Sequence, residues 1–331
     1  MSGSLPSQPI YRREDLLRIE EELNKAGSHI EYKSRHGVLF KRLNPLPGVG
    51  YIEVPPHHTA TRNFITTGGE KELNHAAFES RAEWFTPLDV VPMQIHGPNL
   101  TAEEAIRYMD AEISKWESSA MCASFFEGIK QVLPRNAKKI VAFGLGPIGI
   151  LHYDSDIRIQ DIQSFREHAY VLTVARALSQ RNGFRVPIYV QDPSYTSVCK
   201  QVLPARYGIE VIGGWGARGF LLVDDETVVM NHHANYAMRE IIASIARPAA
   251  MCWAPNRRRQ LFEGTPTQRA YARDVDSTFI DRMLEVYDLV AIPGLRPKVA
   301  YPDASYFRTD WMIEPFYDSV WYVRRQRRHT G

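Results

Sequence analysis

Three cysteines in 331 residues, Cys122, Cys199 and Cys252, are too few and too scattered for a disulfide framework. None belongs to a C-x-x-C pair, so no zinc pattern is expected. Also missing is any apolar run near the ~20 residues that a membrane helix needs. The stretch Met1 to Pro6 lacks a basic start followed by apolar residues, so no signal peptide is expected. The formal net charge is only +2, which gives no overall field that selects a polyanion. There is no P-loop, and no Ser-His-Asp order at recognisable elbows. These absences point to a soluble cytoplasmic protein, with no metal, cofactor, membrane or DNA partner expected. A hydrophobic content of 44% and a charged content of 24% are those of a globular chain with a core.

What is present centres on Lys139 to Gly149. The apolar run Ile140 to Phe143 reads as a buried parallel strand, and it breaks into Gly144-x-Gly146-x-x-Gly149. Strands and helices then alternate. Helices are expected over 162–182, 195–206, 235–246 and 268–286. Strands are expected at Val186–Val190, Ile209–Ile212, Phe220–Val223, Thr227–Met230, Ala249–Trp253, Leu289–Ile292 and Ser319–Val323. Upstream, Thr101 and Glu104 form a capping box that opens a helix running toward Pro134. That alternation predicts a three-layer, Rossmann-like, mainly parallel α/β sheet over 101–331. Before it, a helix is expected over 12–26. Short strands at Val38–Phe40 and Tyr51–Val54 sit in a proline-interrupted stretch. Residues 1–100 therefore read as an irregular N-terminal extension.

Open α/β sheets bind ligands beyond the carboxyl ends of their strands. Gly144, Gly146 and Gly149 are candidate substrate-binding positions on that ground, and so is Asp192 in Gln191-Asp192-Pro193. Ser194, Tyr195 and Thr196 follow as hydroxyls near a helix start. The glycine pattern also raises a dinucleotide or S-adenosylmethionine enzyme, but the ribose-holding acid is expected about 20 residues on. Asp192 lies 43 residues beyond Gly149, which argues against that assignment. Asp224, Asp225 and Glu226 form an acidic turn able to hold a guanidinium. In Asn231-His232-His233, His232 is a candidate proton carrier. Arg257, Arg258 and Arg259, and Arg324 and Arg325 near the C-terminus, are candidate phosphate contacts.

Five ordered blocks carry a family resemblance: residues 140–146, 190–196, 219–229, 245–249 and 319–325. Together they resemble the Sensitivity-to-Red-Light-Reduced-like domain family in its fungal branch, over roughly residues 110–325. Many members carry a Pro-His-Cys-Pro-like segment where this chain has Asn231 to Ala234. The resemblance implies one of two roles. Plant and yeast members are linked to regulation. Similar fungal proteins are arginine-containing cyclodipeptide synthases, which join arginyl-tRNA and a second aminoacyl-tRNA into a diketopiperazine in secondary metabolism. There an Asp-Asp-x-x-Glu motif accompanies activity; here it reads Asp224-Asp225-Glu226-Thr227-Val228, with valine last. On the synthase expectation, Asp224, Asp225, Ser194, Tyr195 and His232 are the catalytic candidates. Gly144, Gly146, Gly149, Asp192 and Glu226 bind substrate, and the arginines bind tRNA. The competing expectation is a non-enzymatic regulatory protein of the same fold.

Overall fold

A computed structural model describes residues 10–25, 27–33, 38–44, 56–67, 88–151, 153–154, 159–160, 162–231, 237–253, 277–292 and 319–325. The described residues before residue 100 stand outside the main sheet. They supply helix α1 (Arg13–Asn24), a hairpin of β1 (His29–Lys33) with β2 (Leu39–Leu43), and a hairpin of β3 (Thr59–Thr67) with β4 (Leu88–His96). The expected strand Tyr51–Val54 lies outside the described residues.

Next come α2 (Ala102–Glu117), α3 (Ala120–Val132), β5 (Lys139–Phe143), the short pair β6 (Tyr153–Asp154) and β7 (Ile159–Gln160), and α4 (Gln163–Asn182). They are followed by β8 (Ile188–Gln191), α5 (Ser197–Val202), β9 (Ile209–Val211), α6 (Arg218–Leu222), β10 (Thr227–Asn231) and α7 (Met238–Ile245). The chain closes with β11 (Ala250–Trp253), α8 (Thr278–Leu284), β12 (Tyr287–Val290) and β13 (Val320–Arg324).

Seven strands make one sheet in the order β12-β13-β11-β10-β5-β8-β9, parallel except for β13. From β5 the chain winds outward through β8 and β9, then crosses back to β10 and β11. The switch between the two directions falls between β5 and β10, and this is where a doubly wound sheet opens a crevice at its carboxyl edge.

Strands covered on both faces read as unbroken apolar runs. In β5, Ile140 and Ala142 join the core under α2, α3, α4 and α5, while Val141 and Phe143 join the core under α1, α6, α7 and α8. β10 and β11 divide in the same way: Val228, Met230, Ala250 and Cys252 face one core, and Val229, Met251 and Trp253 face the other. This two-residue alternation is the strand period itself.

Three expectations are corrected. Phe220–Val223 is not a strand; its first residues belong to α6. An apolar run this short carries no period that separates helix from strand. Tertiary contacts decide it, because Phe220 stacks on Phe143 with ring centroids 4.8 Å apart, and Gly219 N–H donates to Gln191 Oε1 at 2.6 Å. The helix after Thr101 breaks in two, since Ser119 accepts from Cys122 N–H and so caps α3. The expected helix over 195–206 is a short α5 that widens into a π turn, Leu203–Tyr207. Pro204 in that turn has no N–H for a regular bond. Of the expected helix over 268–286, residues 268–276 lie outside the described residues.

Candidate functional site

At the carboxyl edge, Gly144 and Gly146 take φ of 67° and 71°, left-handed values that only glycine adopts without strain. The turn they make is tied to the protein rather than left open. Gly144 N–H donates to the Gln191 carbonyl at 3.2 Å and Gly146 N–H to Asp192 Oδ2 at 2.9 Å. The amides of Ile148 and Gly149 bond the Cys199 sulfur, yet burial dominates and pushes that thiol up. The Gly149 carbonyl accepts from the amides of Asn99 and Leu100, and Asn99 clamps both the amide and the carbonyl of Leu151. A Cβ at Gly146 would meet Ser164 Oγ at 2.3 Å, and one at Gly149 would meet Thr196 Oγ1 at 2.3 Å. The glycines thus admit the chain's own hydroxyls. A pyrophosphate cradle needs several aligned free amides, and this turn has spent most of its own.

Asp192 stands at the end of β8, directly beside the turn. Its Oδ1 accepts from Ser194 N–H at 2.8 Å and from Ser194 Oγ–H at 2.5 Å. Tyr195 is buried, and its Oη faces His168 Nε2 at 2.9 Å. His168 Nδ1 lies 2.6 Å from the Ser164 carbonyl, which can only accept, so Nδ1 carries the proton and Tyr195 donates to Nε2. Burial holds the imidazole down at about 4, against a smaller opposing effect of the Ser164 carbonyl. Burial, together with the nearby Asp192, Cys199 and Glu167, pushes the Tyr195 phenol far up. Both groups are therefore neutral near pH 7.

Charged side chains are rarely buried without a functional or structural reason. Several buried titratable groups, charged or neutral, lie on the helices that start at the carboxyl edge. Glu167 and His168 lie on α4, and Arg239 and Glu240 on α7, all buried. Arg166 makes a buried ion pair with Glu112 of α2 at 2.9 Å. Sequence reading passed over these residues because polar groups inside helical patterns have no fixed spacing to mark them.

The acidic turn lies elsewhere. Asp224, Asp225 and Glu226 precede β10 and sit at its amino end, beside Lys139 at the amino end of β5. β5 is five residues long, so the two edges are roughly 13 Å apart at ~3.3 Å per residue. The acidic turn and Asp192, both candidate site positions from the sequence, therefore do not share one cleft. Asp224 pairs with Lys139 at 2.7 Å and accepts from Thr227 Oγ1 and the Glu226 amide. Partial burial pushes its carboxyl up, but those hydrogen bonds outweigh it and hold the group below its ordinary range. Asp225 pairs with Arg324, Glu226 with Lys138, and Arg325 with Asp288. Arg324 and Arg325 thus sit in ion pairs away from the carboxyl edge. His232 and Arg257, Arg258 and Arg259 lie outside the described residues. Among the described residues, no group of three His, Cys, Asp or Glu side chains could hold a metal ion, and no helix is long and apolar enough to cross a membrane.

A doubly wound sheet with a glycine turn and an acid meeting at its carboxyl edge defines a three-layer, Rossmann-like α/β protein. Within that class, residues 123–263 match the SRR1 domain family. The matched span includes the glycine turn, Asp192, Ser194 and the acidic turn. No curated protein and no solved structure matches the chain.

Proposed function

We propose that this protein is an arginine-containing cyclodipeptide synthase of fungal secondary metabolism, using aminoacyl-tRNAs and working at the carboxyl edge of its sheet. The observation that carries the reading is the Ser194 hydroxyl donating to Asp192 at 2.5 Å beside the glycine turn. A hydroxyl with an adjacent general base is the minimum for acyl transfer. In this reading Ser194 Oγ attacks the ester carbonyl of arginyl-tRNA and its proton passes to Asp192. The ribose oxygen of the tRNA leaves and takes that proton. The α-amine of the second aminoacyl-tRNA then attacks the Ser194 ester, freeing Ser194 as a hydroxyl. The arginyl α-amine closes on the second ester and expels the second tRNA. Both acyl groups arrive activated, so the protein's task is positioning.

The acidic turn is across the sheet, out of reach of an arginyl group seated at Ser194. Arg257, Arg258 and Arg259 are assigned the tRNA phosphates from their clustered charge in the sequence.

The test is incubation of the protein with tRNA, arginine, mixed amino acids and their synthetases, with mass spectrometry for cyclic dipeptides. An arginine-containing product that is lost in Ser194→Ala and kept in Asp224→Asn is expected. Absence of product under active charging sinks the reading.

A second reading is favoured by the placement of Asp192. The 43-residue gap that argued against a nucleoside ligand arises because residues 150–162 intervene before α4, whereas the acid itself stands where a ribose would be held. With the turn's amides spent, a nucleoside lacking pyrophosphate, such as S-adenosylmethionine, suits this edge better than a dinucleotide. Calorimetric titration with S-adenosylmethionine separates the two, because the synthase reading expects no heat of binding.

A further inference from the structure

We infer that His168 is a positioning residue, which acts through Tyr195 to hold Ser194 against Asp192 and the glycine turn. The inference rests on the reading of Ser194 as acyl acceptor. A closed ring of contacts supports it. Gly146 N–H reaches Asp192, and Asp192 holds Ser194. Tyr195, next in the chain, donates to His168. His168 donates to the carbonyl of Ser164, and the Ser164 hydroxyl fills the space beside Gly146. Three separate segments, the turn after β5, the end of β8 and the start of α4, are locked by one ring. The Ser164 carbonyl fixes the histidine tautomer, because a carbonyl can only accept; the lone pair on Nε2 then accepts the Tyr195 proton.

Packing alone does not call for this pair. A Phe and a Leu would fill the same volume without removing two polar groups from water, a cost that a hydrogen bond only offsets. What the pair adds is direction. The aromatic ring is fixed at its far end, so the backbone carrying Ser194 cannot swivel away from Asp192. Displacing a reacting group by about 1 Å can cost as much as a hundredfold in rate. Tyr195, expected as a candidate acyl acceptor, takes this supporting role because its hydroxyl is buried.

The experiment uses the full chain with three variants: Tyr195→Phe, His168→Gln and the double variant. Two readouts are taken: cyclic dipeptide formation with arginyl-tRNA, and covalent labelling of Ser194 by a fluorophosphonate, followed by intact mass. Each single variant is expected to lower kcat and the labelling rate about tenfold while KM for arginyl-tRNA stays within about twofold. The double variant should be no slower than the worse single one, since both act on one path. Where His168→Gln fails to fold, Tyr195→Phe, which removes one oxygen, carries the test. Wild-type rates in a folded Tyr195→Phe variant overturn the inference. If the wild type labels at Ser194 but forms no cyclic dipeptide, slower labelling in the variants keeps the positioning role while the synthase reading falls. If the wild type does not label at Ser194, the inference falls, whatever the product assay gives.

Discussion

His168 shows how one buried side chain sets the acid stability of the molecule. Its folded value of about 4 lies below the ordinary 6.5 because burial disfavours the imidazolium. The unfolded chain therefore takes up this proton first as the pH falls. The contribution is complete above pH ~6.5 and is lost progressively as the pH drops toward 4, a total of about 3 kcal/mol. Urea unfolding at pH 7 and pH 4.5 should show a loss about 2–3 kcal/mol larger in the wild type than in His168→Gln; equal losses would refute this origin. Asp224 is the contrasting case. Its lysine partner and its own carboxylate are both partly exposed, so Asp224→Ala should cost only about 1 kcal/mol in the same measurement. Neither role could be read from the sequence. Adjacent acids look the same whether a turn leads out of a strand or into one.

Helix α1 is the element whose consequence most exceeds its sequence signal. Its period of Leu16, Ile19 and Leu23 is legible, and all three side chains are buried. Not legible is Glu20, a buried carboxylate that accepts from the backbone amides of Trp215 and Ala217 at 2.8–3.0 Å. Gly214 and Gly216, with φ of 89° and 120°, let the loop curl its amides around that carboxylate. Arg13 adds hydrogen bonds to the carbonyls of Leu221 and Val223 at the end of α6. Glu20→Ala leaves two buried donors unmet, and chemical denaturation should register a loss of about 3 kcal/mol; a loss under 1 kcal/mol would mean water replaces the carboxylate. Glu20→Gln keeps an acceptor oxygen and should cost less. In the glycine turn, Gly146→Ala is strained by its backbone alone, by about 1–2 kcal/mol. It also meets Ser164 Oγ. Adding Ser164→Gly should recover only part of the loss in thermal melting, because the left-handed φ remains.

At the scale of the molecule, α1 of the N-terminal extension shares a core with the domain that follows it. α1 packs on β1 and α6 and joins the core on the sheet face that carries Val141, Phe143 and Val229. Burying Leu16, Ile19 and Leu23 contributes roughly 6 kcal/mol at about 2 kcal/mol each. That is comparable with the ~5–15 kcal/mol that holds a domain folded. A chain lacking residues 1–24 should therefore lose its cooperative thermal transition in circular dichroism, and an unchanged transition would show that the sheet face does without α1. The sequence by itself determined the central strand, the long helix after it and the alternation that makes the sheet parallel, because burial on both faces imposes apolar runs and covered helices impose their period. It also determined that Gly144 to Gly149 and Gln191 to Tyr195 are strand ends. Only the tertiary structure decided which edge each turn occupies. Reading Phe220–Val223 as a strand put Asp224 at a carboxyl end; as helix α6 that segment runs back, and the acids fall at the amino edge. The physical reason is that direction belongs to chain crossings, and a four-residue apolar run fixes none. The same holds for the ring through His168, whose members lie on segments that meet only when the sheet has wound.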